Sequence, residues 1–485
     1  MWAFVRRHWA IGLVALVVLG VGVGAGIISA QSSGHSTTSV DAADAASSGQ
    51  AAGAQTAVAQ AAPSPTPGFG PIITPPPQPT PGPGSPSPTA TITPSPTQTP
   101  AQTPSARPTV TRTPPVTGTP LPTLRSDLMG IQLNPNTSQE GFDTNLWLAK
   151  RLGVTWIKLQ FSWKLLEPQQ GVLSDTFYAY RIFVQHAAQQ GFKVMISIAK
   201  APDWARASQE EDGPPKNPQD LANFITRIMS EVRVDLYGNS YFNAIEVWNE
   251  PNLRREWNGG TLGGAPYMQL FDTAYNAIRA GEGGASVIIL TAGLAPTGID
   301  DGVTAIDDRE FLRQMYQAGL NNPAYQNIAI GAHPYGAANP PDARCCANPS
   351  RGYDDHPSWF FLNTVEDYHA IMEQAGDTSH QLWTTEFGWG TYDGFTTETG
   401  DPAPPPDDPP YIQWLNQDQQ ATYIIRAFVI GQSLPYMGPM ILWNLDFSSQ
   451  DYIDQRDPRA AYALLRGGID PLRPAFLLLE NAPKQ

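Results

Sequence analysis

Glu250 and Glu386 are the acidic residues whose surroundings could turn a carboxylate into a reagent. Glu250 lies in Trp248-Asn249-Glu250-Pro251-Asn252 at the end of an apolar run, and Glu386 ends another in Thr385-Glu386-Phe387-Gly388-Trp389. Two carboxylates can divide the work of breaking a glycosidic bond: one protonates the leaving oxygen, the other attacks the carbon or activates water. His333-Pro334-Tyr335-Gly336 and Trp443-Asn444 end two further runs, and Trp204 follows Ala201-Pro202-Asp203. Their rings offer flat apolar faces suited to sugar rings. This chemistry needs neither metal nor cofactor, and none is expected. Taken alone, Asn-Glu-Pro is ordinary turn chemistry; its place after a strand, with a second Glu three strands later, is what marks it.

Such residues must be carried to one place by the elements around them. Eight apolar, β-branched runs recur: Met129–Leu133, Val154–Trp163, Lys193–Ala199, Ala244–Asn249, Ser286–Leu294, Asn327–His333, Gln381–Glu386 and Pro439–Phe447. Amphipathic stretches separate most of them, from Asp143–Leu152 to Gln417–Gly431. Eight strands alternating with helices predict a parallel sheet closed into a (β/α)8 TIM barrel. Alternation supports it: Ile157, Leu159 and Phe161 share one face, while Lys158, Gln160 and Ser162 share the other. A doubly wound open sheet is the alternative, weakened by the lack of a Gly-rich loop after the first strand. In a barrel the chemistry sits at the C-terminal strand ends, where these residues fall. Insertions at Leu253–Pro266, Ala337–Phe361 and Tyr392–Tyr411 would shape what binds there.

With Asn249-Glu250-Pro251 after a fourth strand and Glu386 ending a seventh, the sequence resembles the clan A retaining glycoside hydrolases. Trp248–Leu253 is similar to the motif of family 39 β-xylosidases, and the His-x-Tyr at 333–335 with Trp443 resembles family 5 endoglycanases. The resemblance implies that Glu250 is the general acid/base and Glu386 the nucleophile. It further implies that Asn249 holds the sugar 2-hydroxyl, that His333 and Tyr335 position and tune the nucleophile, and that Trp443 lies beneath the sugar being cleaved. Clan A enzymes commonly carry an arginine on strand two. Lys158 stands there instead, and a point charge does not replace a bidentate guanidinium. Its expected role is as partner to Glu246 inside the barrel. The negative charge of Glu386 is expected to raise the pKa of Glu250, keeping the acid protonated.

The rest of the chain is organised around this domain. The 485 residues carry a net charge of −15, with 48 prolines. Arg6 and Arg7 are the only charges before residue 31, and Asp41, Asp44, Arg107 and Arg112 cancel within residues 31–124, so residues 125–485 carry −17. That acidity excludes nucleic acid as a partner and favours neutral over anionic glycans. Trp9–Ala30 is a run without charge, long enough to span a bilayer. With Arg6 and Arg7 before it, residues 1–30 are expected to be a single-pass anchor with the domain outside the cell, or a signal peptide if cleaved. Residues 31–124, Ala/Ser-rich and then Pro/Thr/Ser-rich, are expected to be a disordered linker, and 125–485 the barrel, a monomer acting on carbohydrate. The adjacent Cys345 and Cys346 build no disulfide framework. A transglycosidase using the same site and a barrel that binds sugar without hydrolysis are the rival readings.

Overall fold

The computed structural model describes residues 120–233, 241–346, 349–467 and 471–485. The expected anchor and nearly all of the expected linker lie outside these residues. Among the described residues no helix is long and apolar enough to cross a membrane. Leu124, read as the last linker residue, is buried and exchanges backbone hydrogen bonds with the chain's C-terminal end, so the folded domain begins slightly earlier than expected.

Eight parallel strands form a closed barrel in chain order: β1 (Met129–Gln132), β2 (Trp156–Ser162), β3 (Lys193–Ala199), β4 (Ala244–Val247), β5 (Ile288–Thr291), β6 (Ile328–Ala332), β7 (Leu382–Phe387) and β8 (Met437–Leu442). Pairing of β8 with β1 leaves no sheet edge and excludes the doubly wound alternative. The principal helices are α1 (Gln139–Leu152), α2 (Asp175–Gln189), α3 (Pro218–Glu231), α4 (Gly264–Ala280), α5 (Asp308–Gln317), α6 (Phe361–Gln374), α7 (Gln417–Ser433) and α8 (Pro474–Asn481). Several begin where a polar side chain satisfies a free backbone N–H. Ser138, Ser174, Asn217 and Asp307 cap α1, α2, α3 and α5, and Asn416 forms a reciprocal box with Gln419 at α7.

Burial follows the alternation. Ile157, Leu159 and Phe161 belong to the large core between strands and helices, with Ile245 and Val247 from β4. Facing inward, Trp156, Met195, Ala244, Leu290, Ala329, Trp383 and Ile441 form a separate apolar layer, one residue from each of β2 to β8. On β1 the corresponding place is taken by Gly130, paired with both Trp156 and Ile441. A Cβ there would stand 2.3 Å from Ile441 Cδ1, so only glycine leaves room for the layer to close. This layer is an apolar floor, and the polar inward residues Lys158 and Glu246 lie two positions further along their strands, toward the C-terminal ends.

Candidate active site

The loop after β4 carries Glu250 in a backbone that few side chains tolerate. Trp248 and Glu250 are left-handed, with φ of 80° and 43°, on either side of buried Asn249. Non-glycine residues in this region are strained and persist where their surroundings hold them. Here the Trp248 N–H bonds Ile198 O on β3 at 2.9 Å, its indole donates to Glu256 O at 3.1 Å, and the Glu250 N–H bonds Gly293 O at 3.1 Å. Lys200, directly after β3, and Ala337, in the segment after β6, are also left-handed.

Glu386 reaches the same place by a different device. Leu382 and Phe387 both pack outward, although strict alternation would send them to opposite faces. Two register shifts between β7 and β8, at Leu382/Thr384 and Thr384/Phe387, resolve the parity. Without them Glu386 would share the outward face of Leu382; the irregularity aims it inward.

The two carboxylates meet around His333, Tyr335 and Lys158. Tyr335 donates its hydroxyl to Glu386 Oε2 at 2.8 Å, and Lys158 Nζ donates to Glu386 Oε1 at 3.1 Å. His333 Nδ1 lies 3.2 Å from Glu250 Oε1 and 3.9 Å from Glu386 Oε2. The hydrogen bond of His333 goes to Glu250, and its ring also stands within ion-pair distance of Glu386, while Tyr335 hydrogen-bonds Glu386 directly. Lys158 also pairs with Glu246 Oε2 at 2.8 Å and donates to Thr385 O at 3.1 Å, so it bridges Glu246 to Glu386. Glu246 accepts from the Gly293 N–H at 3.1 Å. Gly293 has to be glycine, since a Cβ on it would lie 2.1 Å from the His333 ring.

Arg255, which sequence reasoning passed over, donates to Glu250 Oε2 at 3.1 Å. It stands in a short 3-10 turn, Arg254–Glu256, whose path is not legible from spacing. Burial, the largest influence on Glu250, pushes its pKa up. The hydrogen bond from His333 and the charge of Arg255 outweigh it, and the pKa ends below the usual carboxylate range. This is opposite to the expected direction, because the sequence argument included neither Arg255 nor a bond from His333 to Glu250. His333 is shifted up: burial opposes its charge, but Glu386 and the bond to Glu250 prevail. Burial likewise opposes the charges of Glu246 and Lys158. Their mutual pairing wins, holding the glutamate low and the lysine high.

A cavity of about 710 Å³ opens over these groups. Glu250, Glu386, Tyr335, Trp443 and Arg255 all line it, and Trp443 packs edge-on to Tyr335 with ring centroids 6.0 Å apart. Trp204 is not in its wall; it lies against Trp163 and donates to Glu167 O at 3.0 Å. Among the described residues no group of three or more His, Cys, Asp or Glu is arranged to hold a metal.

Comparison with known proteins places this geometry in a family. The sequence model of Cellulase (glycosyl hydrolase family 5) matches residues 123–422. No curated protein matches the sequence. Solved structures with the same fold include a family 5 subfamily 18 enzyme from Bifidobacterium longum subsp. infantis. It is 12 % identical over 75 % of this chain and 79 % of its own, with a TM-score of 0.50. A family 39 glycoside hydrolase from Bacteroides cellulosilyticus is 17 % identical over 74 % of this chain, with a TM-score of 0.49; the chain spans 63 % of that protein's length. An endo-β-1,4-glucanase from Xanthomonas axonopodis pv. citri is 14 % identical over 73 % of this chain and 98 % of its own, with a TM-score of 0.44. The family match covers well over half of the chain, which therefore belongs to glycosyl hydrolase family 5 of clan A and is a glycosidase.

Proposed function

We propose that the chain cleaves β-linked, neutral oligo- or polysaccharides with retention of configuration, using Glu386 as nucleophile and Glu250 as acid/base. The observation that carries this reading is the shared position of the two carboxylates about one imidazole nitrogen. Their nearest oxygens cannot be further apart than 3.2 Å and 3.9 Å laid end to end. That ceiling admits the separation of about 5–5.5 Å at which one carboxylate attacks directly, and the choice of retention rests on the likeness of Asn249-Glu250-Pro251 and Glu386 to the clan A retaining enzymes.

In the first step Glu386 attacks the anomeric carbon as the bond to the leaving oxygen breaks, and Glu250 gives that oxygen its proton. A glycosyl ester on Glu386 results. In the second step Glu250 takes a proton from water, whose oxygen attacks the same carbon and frees the carboxylate. Tyr335 and Lys158 hold the two oxygens of Glu386 and orient it for attack. Asn249, buried beside Glu250, is the residue for the sugar 2-hydroxyl, and Trp443 supplies the apolar floor.

The acid must be protonated to act, and Arg255 and His333 favour its ionised form. Activity is therefore expected to peak at acidic pH and to fall as pH rises through the lowered pKa of Glu250. A panel of nitrophenyl β-glycosides, beginning with β-glucosides because the family is named for cellulose, identifies the sugar. Glu386→Ala should lose at least about 10³-fold in kcat on the best of them; full activity in that variant refutes the assignment. We read residues 1–30 as the device that delivers this domain outside the cell, anchored or secreted, on the strength of the charge-free run Trp9–Ala30.

A further inference from the structure

Glu246 neither attacks the sugar nor moves a proton in the double displacement, yet its Oε2 is the carboxylate oxygen nearest to Lys158. The lysine has three N–H groups and three acceptors: Glu246 Oε2 at 2.8 Å, Glu386 Oε1 at 3.1 Å and Thr385 O at 3.1 Å. All three side chains of this ionic group are buried. The other oxygen of Glu246 accepts from the Gly293 N–H at 3.1 Å and stands 3.9 Å from His333 Nε2. One buried ammonium is thus shared by two carboxylates, from β4 and β7.

Forming the glycosyl ester disturbs this sharing. Glu386 gives an oxygen lone pair to the anomeric carbon, the bond to the leaving oxygen breaks, and that oxygen takes the proton of Glu250. A negative charge thereby leaves the side of Lys158 and appears on Glu250, beside His333 at 3.2 Å and Arg255 at 3.1 Å. A buried ammonium without a counter-charge is costly. Among the described residues, Glu246 is the carboxylate that stays within ion-pair distance of Lys158 Nζ once Glu386 is esterified. Burial opposes both charges of the pair, and their attraction prevails.

Resting on the double-displacement reading, we propose that Glu246 is a positioning residue for ester formation: it keeps Lys158 paired while Glu386 carries the sugar. Its work differs from that of Tyr335, which holds an oxygen of the free nucleophile. Glu246 acts on the ester and on the transition state before it, where the charge of Glu386 is fading. Loss of its own charge should slow formation of the ester. Breakdown, which returns the charge to Glu386, should be as fast or faster.

A 2-deoxy-2-fluoro β-glycoside with a dinitrophenyl leaving group, of the sugar that wild type prefers, reads the two steps apart. Inactivation reports ester formation, and recovery in buffer reports its breakdown. Glu246→Gln keeps the shape of the side chain and removes its charge. Inactivation should slow at least about ten-fold, with recovery as fast as in wild type or faster. Glu246→Asp, which keeps the charge, should restore most of the inactivation rate. Equal slowing of both steps, or a Glu246→Asp protein as impaired as Glu246→Gln, overturns the proposal. If Glu246→Gln does not fold, Lys158→Met supplies the background. With no ammonium left to pair, adding Glu246→Gln there should slow inactivation no further, and a further loss of about ten-fold overturns the proposal. If wild type forms no ester on Glu386, the double-displacement reading fails and this inference with it. An ester on Glu386 with unchanged rates in Glu246→Gln overturns the inference alone.

Discussion

Arg255 sets the cation nearest to the acid/base, 3.1 Å from Glu250 Oε2, and this decides the pH at which the site can work. Removing it relieves Glu250 of one of the two influences that lower its pKa, so the pKa rises. In Arg255→Ala the alkaline limb of kcat/KM should move to higher pH; a limb that stays in place would show that Arg255 does not govern Glu250. Lys158 poses a separate question. It is fully buried between Glu246 and Glu386, and Lys158→Met would leave the buried Glu246 carboxylate with only the more distant His333 ring beside it. Breaking a buried pair from one side costs about 3–5 kcal/mol, which should appear as a large drop in Tm. An unchanged Tm would mean that Glu246 is not carried as an ion. The identities of Glu250, Glu386, His333 and Tyr335 were legible as strand-end residues, and so was the pairing of Lys158 with Glu246. The partner of His333 was not, because strand order places a residue at the barrel mouth without saying which carboxylate its ring will meet.

At the scale of elements, β5 matters more than its residues suggest. Gly293, just beyond its end, donates to Glu246, accepts from Glu250 and leaves space for the His333 ring. Gly293→Ala should displace His333, lowering kcat and costing about 1–3 kcal/mol of stability through overpacking. A variant with wild-type kcat and Tm would show that the close approach is not required. The eight strands were legible because each is a short apolar run bounded by helical or turn segments, and the inward and outward faces of β2 and β4 followed from period two. The direction of Glu386 was not. Period two places it with Leu382, and only the register shifts against β8 turn it inward. A one-turn device such as Arg254–Glu256 has no periodicity to read, which is why Arg255 escaped notice.

For the whole molecule, charge and aromatic content are segregated. The domain after residue 124 carries −17, and its cavity wall includes the rings of Tyr335, Tyr353, Trp359, Tyr411, Trp443 and Tyr462. That combination suits neutral sugars, which need hydroxyl acceptors and flat faces and no counter-charge. The account stands on a covalent sugar on Glu386, and direct trapping examines that claim. The protein is incubated with a 2-deoxy-2-fluoro β-glycoside bearing a good leaving group, chosen for the sugar it prefers, then digested and weighed by mass spectrometry. A single fluoroglycosyl addition on the peptide containing Glu386 is predicted. An addition on Glu250, or steady turnover with no trapped peptide, would contradict the double-displacement account.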